Sequence, residues 1–337
     1  MTIGKGAAIF GCAGPELLAQ ERDFFRDYDP FGFILFARNV ENPDQLRRLT
    51  GDLRAAVGRD APILVDQEGG RVQRLRAPHW REWAPPLDTV LAAGAQAERA
   101  MYLRMRILAN ELRAVGIDAN CAPVCDIAGE GTHPFLKNRC YGTDCATVTR
   151  IARAVAQAHL DEGVLPVMKH MPGHGRSQAD THHDLPVVEA GRAELAETDF
   201  APFRALADLP MAMTAHIVFR AYDADNPATQ SPAMIRAIRG EIGFQGLLMT
   251  DDLNMEALAG DLATRTARAI AAGVDIALHC KGDLAQMQAV AGAAGEMTAA
   301  ARDRAKAALA RRHAADPVDI AALEAELSGL VAQAADG

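Results

Sequence analysis

The chain has 337 residues, a net charge of −9 with histidine neutral, and 49% apolar against 23% charged residues. An acidic chain of ordinary charge density lacks the basic footprint that nucleic-acid binding requires, and its length admits one large barrel or two medium domains. No apolar run approaches the length of a membrane span, and the run within residues 1–14 is too short for a signal-peptide core, so a cytoplasmic protein with no membrane partner is expected.

Eight short apolar runs follow in chain order: Ala7–Gly11, Gly32–Ala37, Pro62–Asp66, Asp118–Val124, Leu165–Lys169, Met211–Ile217, Gly246–Thr250 and Val274–Leu278. Most are continuous rather than alternating in polarity, as strands buried on both faces are. Helix-length stretches separate them, among them Asp44–Val57, Gln96–Val115, Ala146–Glu162, Ala190–Leu206 and Glu256–Ala272. Alternating buried strands and helices imply parallel βαβ units, and eight of them predict a closed (β/α)8 barrel of the TIM type, in the α/β class, as a single domain over 1–337. A doubly wound open sheet competes, but no Gly-x-Gly-x-x-Gly turn follows the first run. From about Asp283 the chain is rich in Ala, Glu and Arg and reads as peripheral helices on the barrel's outside.

The six cysteines (12, 121, 125, 140, 145 and 280) never take the C-x2-C spacing of a zinc site. Four lie in or beside apolar runs and read as buried reduced thiols, and neither a metal nor a cofactor is expected.

In a barrel of this kind the chemistry sits at the carboxyl ends of the strands. Polar groups fall there run after run: Arg38-Asn39, Asp66-Gln67-Glu68, Asp126, Lys169-His170, His216, Asp251-Asp252 and His279. The third run continues as Val65-Asp66-Gln67-Glu68-Gly69-Gly70-Arg71-Val72-Gln73-Arg74. A carboxylate and an Arg at that point suit adjacent sugar hydroxyls through charge-assisted hydrogen bonds. A structural Asp–Arg brace is the alternative, and for Glu68 and Arg71 the two readings stand level. After the seventh run, a carboxylate can attack a carbon, bind a metal or cap the next helix. Asp251 comes first and is the expected pocket residue, leaving Asp252 to cap.

The densest stretch is Lys169-His170-Met171-Pro172-Gly173-His174-Gly175-Arg176-Ser177-Gln178-Ala179-Asp180-Thr181-His182. Lys169 and His170 end the fifth run, and Pro172 with the glycines shapes the turn. Asp180, two residues before His182, can orient that imidazole and stabilise its protonated form, which makes His182 a candidate general acid/base. His170 and His174 have the separation of a zinc pair but no helix to present them on one face.

Three separated blocks, Val65–Arg74, Lys169–His182 with Leu185-Pro186 after it, and Thr250-Asp251-Asp252-Leu253-Asn254-Met255, together resemble glycoside hydrolase family 3 in its small single-domain bacterial β-N-acetylhexosaminidase branch. The resemblance covers roughly residues 1–290. It implies a retaining mechanism through a covalent glycosyl-enzyme, with Asp251 as nucleophile and His182, oriented by Asp180, as acid/base in place of the Glu of most glycosidases. Asp66, Arg74, Lys169 and His170 are then implied to grip an N-acetylglucosamine ring, joined by Arg139 of Lys137-Asn138-Arg139-Cys140-Tyr141-Gly142. It further implies a small-molecule sugar substrate: removal of terminal N-acetylglucosamine from peptidoglycan (muropeptide) fragments during cytoplasmic cell-wall recycling. Met171 stands where Phe is common, Thr181 where Ser is usual and Cys140-Tyr141 where Ser-Phe is typical; these touch subsite shape and remove no reacting group. Three rivals remain. One is a β-glucosidase or broad exo-glycosidase, which usually carries a second α/β domain that this chain is too short to hold. Another is a phosphorylase, since a neutral His base repels phosphate less than a carboxylate does. The third is a catalytically inactive sugar-binding barrel.

Overall fold

A computed structural model of the chain describes residues 2–177 and 185–333. Eight parallel strands close into a barrel: β1 (Gly6–Gly11), β2 (Pro30–Leu35), β3 (Ile63–Val65), β4 (Ala119–Asn120), β5 (Leu165–Met171), β6 (Met211–Thr214), β7 (Leu247–Asp252) and β8 (Ile276–His279). Each of the eight predicted runs supplies one strand, and β8 closes the ring by pairing with β1 through Ala8–Ala277 and Phe10–His279. Every residue of the barrel strands is buried except Asp251 and Asp252. Helices cover the outside while side chains fill the middle, which is why the runs read as continuously apolar. On one flank Phe10 of β1 meets Phe24 of the helix Ala19–Tyr28 at 5.5 Å between ring centres, and Phe25 of that helix meets Phe33 of β2 edge-on at 5.0 Å.

Several boundaries differ from the expected ones, each for a local reason. The Asp118–Val124 run gives only Ala119–Asn120 as regular strand, because Pro123 has no N–H for the ladder. The Met211–Ile217 run stops at Thr214; the chain then forms a separate two-stranded parallel pair outside the barrel, Val218–Phe219 with Val187–Val188. Ala190–Leu206 splits into Arg192–Glu197 and Ala201–Ala205, since the ring of Pro202 would clash with the Thr198 carbonyl in a continuous helix. The helix expected from Glu256 begins at Leu262, where the Asp261 side chain caps it by accepting from the Thr264 N–H at 2.8 Å.

Two irregularities in the barrel wall set the geometry of its upper end. Between β5 and β6, Met168 pairs with Ala212 and Met171 with Thr214, so β5 carries one residue more than its partner across Lys169-His170. Between β7 and β8, Met249 pairs with Ile276 and Asp252 with Leu278, so β7 carries one extra residue across Thr250-Asp251. Bulges of this kind re-aim side chains. The Thr250 hydroxyl repairs the ladder beside the second one by accepting from Leu278 N–H at 2.9 Å.

The lower end, where the strands begin, is closed by ion pairs. Asp118, just before β4, accepts from Ile63 N–H at 2.8 Å, pairs with Arg54 at 2.8 Å and also takes Arg312 from far along the chain. Arg312 reaches Asp60 as well, at 2.7 Å. Around it, the expected C-terminal helices form as Leu284–Ala294, Ala299–Ala310 and Ile320–Gln333. The last is tied to the helix Ala97–Arg113 by a two-pronged Arg99–Glu326 pair, 2.7 Å at each prong. No helix among the described residues is long and apolar enough to cross a membrane.

Candidate active site

A cavity of about 170 Å3 opens at the carboxyl end of the barrel, and Asp66, Arg74, Arg139, Lys169, His170 and Asp251 all line it. Six of the eight residues singled out from the sequence therefore share one space. The other two, Asp180 and His182, lie outside the described residues. His174 also lines the cavity, beside the start of that segment.

Neighbouring residues of a regular strand face opposite ways. Yet Lys169 and His170 line the cavity together, and so do Asp251 and Asp252. The two bulges account for both pairs, because each sits across the residues that would otherwise diverge. The Lys169–His170 and Met171–Pro172 peptide bonds are cis.

On the β3 side, charges alternate in a continuous lattice. Arg74 Nη2 lies 3.3 Å from Asp66 Oδ2, and Asp66 Oδ1 takes Lys169 Nζ at 2.8 Å. Lys169 Nζ also reaches Glu68 Oε1 at 2.6 Å, and Glu68 receives the Arg139 guanidinium in a fork of 2.9 and 2.8 Å. Glu68 is wholly buried and is not among the cavity-lining residues, so of its two readings the brace holds. Burial alone would push these carboxyls up, but Lys169, Arg74 and Arg139 overcome it: Asp66 falls far below the usual carboxylate range and Glu68 falls to about 2. Both stay ionised, and Asp66 and Glu68 in turn keep Lys169 protonated against its burial. Gly69 makes the turn after Glu68 with φ 106°, and a Cβ there would strike the buried Arg104 guanidinium. That guanidinium donates to the Glu68 and Ala84 carbonyls at 2.8 and 2.7 Å. Arg71 is exposed and stacks its guanidinium 3.3 Å from the centre of the Phe135 ring.

His170 is set by Asp126, which follows β4. Its Nδ1 donates to Asp126 Oδ2 at 2.7 Å, while Asp126 Oδ1 accepts from the His174 N–H at 2.7 Å. Nε2 is left toward Arg139 Nη2, 3.5 Å away. Ring centres of His170 and His174 are 5.4 Å apart, and among the described residues no three His, Cys, Asp or Glu side chains are arranged to hold a metal. No described cysteine is disulfide-bonded; five are buried, and Cys145 is half-buried.

The β7 side is built differently. Asp251 Oδ1 accepts from the Asp252 N–H at 2.8 Å, and Asp252 Oδ1 accepts from the N–H groups of Asn254 and Cys280 at 3.1 and 3.2 Å. Asp252 thus turns the loop and staples β7 to β8 instead of capping a helix as expected; the next helix, from Leu262, is capped by Asp261. Burial pushes Asp251 up, but the His170 and His216 imidazoles, the Asp252 N–H and Lys169 outweigh it and hold the carboxyl below its ordinary value. For Asp252 burial and the Asp251 charge prevail, and its pKa is raised. His216 stands behind both, with Nε2 3.1 Å from the Asp252 carbonyl.

Asp126, Phe36, His133 and Phe135 complete the wall or its support without having been assigned a role from sequence. For the last two a signal existed: His133-Pro134 is an N-cap followed by proline at the first helical position. His133 Nδ1 does accept from Phe135 N–H at 3.2 Å and starts the short helix Pro134–Lys137, which presents Phe135 and leads into Arg139.

An ionised carboxylate facing a lattice of cations and carboxylates suits a polyhydroxy ligand attacked at carbon. Residues 16–311 match the model of the glycosyl hydrolase family 3 N-terminal domain. The β-hexosaminidase of Bordetella avium is 37% identical over 290 residues, covering 82% of this chain and 81% of that protein. The β-hexosaminidase of Alkalilimnicola ehrlichii is 39% identical over 285 residues, covering 82% and 80%. The crystal structure of NagZ from Neisseria gonorrhoeae in complex with N-trifluoroacetyl-D-glucosamine superposes with a TM-score of 0.83 at 30% identity, over 99% of this chain and 98% of that one. The chain belongs to glycosyl hydrolase family 3, alongside the bacterial β-hexosaminidases, and is a glycoside hydrolase.

Proposed function

We propose that the protein is a retaining exo-β-N-acetylglucosaminidase that removes the non-reducing terminal N-acetylglucosamine from peptidoglycan fragments in cytoplasmic cell-wall recycling. The observation that carries this reading is the ionised Asp251 carboxylate opening into the same cavity as the Asp66–Lys169–Glu68–Arg139 lattice. The names of the relatives and the sugar bound to the Neisseria enzyme support the choice of sugar.

In this mechanism an Asp251 oxygen attacks the anomeric carbon as the bond to the leaving oxygen breaks, and protonated His182 gives that oxygen its proton. A glycosyl ester on Asp251 results. Neutral His182 then takes a proton from water as that water attacks the anomeric carbon and frees the carboxylate. Asp180 stabilises the imidazolium that opens the first half-reaction and is regenerated by the second. A carboxylic acid in this role would wait beside the glycosyl ester as an anion, whereas the imidazole waits there uncharged. Asp66, Arg74, Arg139, Lys169 and His170 hold the ring hydroxyls.

A slow fluorosugar analogue of N-acetylglucosamine should leave a covalent adduct that peptide mass spectrometry finds on Asp251. A label on Asp252 sinks the nucleophile assignment. Faster turnover of an aryl glucoside than of an aryl N-acetylglucosaminide overturns the sugar, and release of sugar-1-phosphate in phosphate buffer overturns hydrolysis.

A further inference from the structure

We propose that His159, on an outer helix and away from the cavity lining, is a positioning residue for the sugar grip, acting through Asn120 and Gln67. The proposal rests on the reading of Asp66 and Arg74 as sugar ligands.

His159 belongs to the helix Cys145–Asp161, which links β4 to β5, and it is fully buried. Its Nδ1 lies 2.7 Å from the carbonyl of Val155, one turn earlier. A carbonyl only accepts, so Nδ1 carries the proton and Nε2 is an acceptor. Burial pushes the ring's pKa down to about 4, so it stays neutral and Nε2 keeps that role at neutral pH. What it accepts is one N–H of the Asn120 amide, at 2.9 Å.

Asn120 is the last residue of β4 and is also fully buried. Its second N–H donates to the Gln67 carbonyl at 2.9 Å, and its Oδ1 accepts from the Gln67 N–H at 3.0 Å. One side-chain amide thereby clamps both backbone groups of a residue just past the end of β3. Gln67 passes the constraint on: its Oε1 accepts from the N–H groups of Arg74 and Leu75 at 2.7 and 3.1 Å, and its Nε2 donates to the Leu75 carbonyl at 3.0 Å.

Gln67 lies between Asp66 and Glu68, the two carboxylates on which the cations converge. The relay therefore fixes where Asp66 and Glu68 leave the strand and where Arg74 returns to the cavity. It does so with neutral, saturated hydrogen bonds, which hold direction without adding charge to a crowded lattice. Without the His159 acceptor, an Asn120 N–H is stranded in the core and the amide must turn to satisfy it. The Asp66–Arg74 loop would then lose its register.

The test compares His159→Leu, which removes the acceptor, with His159→Gln, whose amide oxygen can take the place of Nε2. KM and kcat are measured on an aryl N-acetylglucosaminide, with the inhibition constant of N-acetylglucosamine and the melting temperature, all on the full chain. His159→Leu should raise KM and the inhibition constant together by about tenfold, the scale of one stranded buried donor, with a smaller change in kcat. His159→Gln should restore most of both. Loss of packing alone would lower the melting temperature and leave both constants unchanged at an assay temperature where the variant is folded; that result overturns the relay. If His159→Leu does not fold, nitrogen NMR of histidine-labelled wild type still decides. A proton on Nε2 rather than Nδ1 overturns the relay, and the Nδ1–H form bears it out. Asp66→Asn and Arg74→Lys run alongside: if neither shifts the two constants, the sugar-ligand reading fails, whereas if they do and His159→Leu does not, only the relay fails.

Discussion

The carboxylates at the ends of β3 and β7 are held beside one cavity by opposite constructions. Asp66 is ion-paired with Lys169 and Arg74, and Glu68 with Lys169 and Arg139. Asp251 and Asp252 form no ion pair with Lys or Arg among the described residues; backbone N–H groups hold them instead. A carboxylate locked in an ion-pair lattice is rigid, strongly ionised and a poor nucleophile. One held by a single N–H and lowered through nearby imidazoles keeps oxygen lone pairs free for a bond to carbon. On the proposed function, the difference separates Asp66, which grips, from Asp251, which reacts.

The comparison breaks most visibly at β7. Asp251→Asn should cut turnover of an aryl N-acetylglucosaminide by about four orders of magnitude while leaving the melting temperature near that of wild type. Asp252→Asn, which keeps an oxygen for Asn254 and Cys280, should cost about one to two orders. Equal losses would erase the distinction between the two. On the β3 side, Asp66→Asn should act mainly on binding, raising KM about tenfold to a hundredfold through loss of charge-assisted hydrogen bonds. A kcat loss on the Asp251 scale would move Asp66 into the chemistry.

The smallest effect on turnover and the clearest on stability belongs to Glu68. Glu68→Gln leaves Lys169 and Arg139 short of a buried counter-charge and should cost about 3 kcal/mol of stability, read from denaturant unfolding. Its pH signature has a definite sign. The folded-state value of about 2 is depressed from the ordinary 4.5, so the contribution is complete above pH 4.5 and disappears as the pH falls through 2. Wild type should lose stability across that window more steeply than the variant, and parallel curves would mean that the lattice is not what holds Glu68.

Much of this was legible in the chain. Continuous apolar runs become strands because both faces of each strand are covered, and carboxyl-end polar residues become cavity residues because parallel strands all end on one side. Asp66, Arg74, Arg139, Lys169, His170 and Asp251 converge on those grounds and on family resemblance. What could not be read was anything fixed by pairing between distant segments. Lys169 and His170 share a face only because β5 bulges against β6, and no local pattern announces a bulge. For Glu68 the binding and bracing readings stand level in the sequence; a turn at Gly69 and a fork from Arg139, 71 positions away, decide for the brace. His159 in an Ala-rich helix gave no sign that its ring meets Asn120.

The Arg312 strap under the barrel has a consequence in time. Asp118 and Arg312 are 194 positions apart, so on a ribosome moving at 5–20 residues per second the carboxylate is made about 10 to 40 s before that arginine. Through that interval Arg54 alone is available to answer a charge that the finished barrel shares between two guanidiniums. β8 too is translated late, and without it β1 has an unpaired edge. The lower mouth and the last seam of the wall therefore close only after the other seven strands have been made, and the cavity above them becomes a catalyst only when that closure is made.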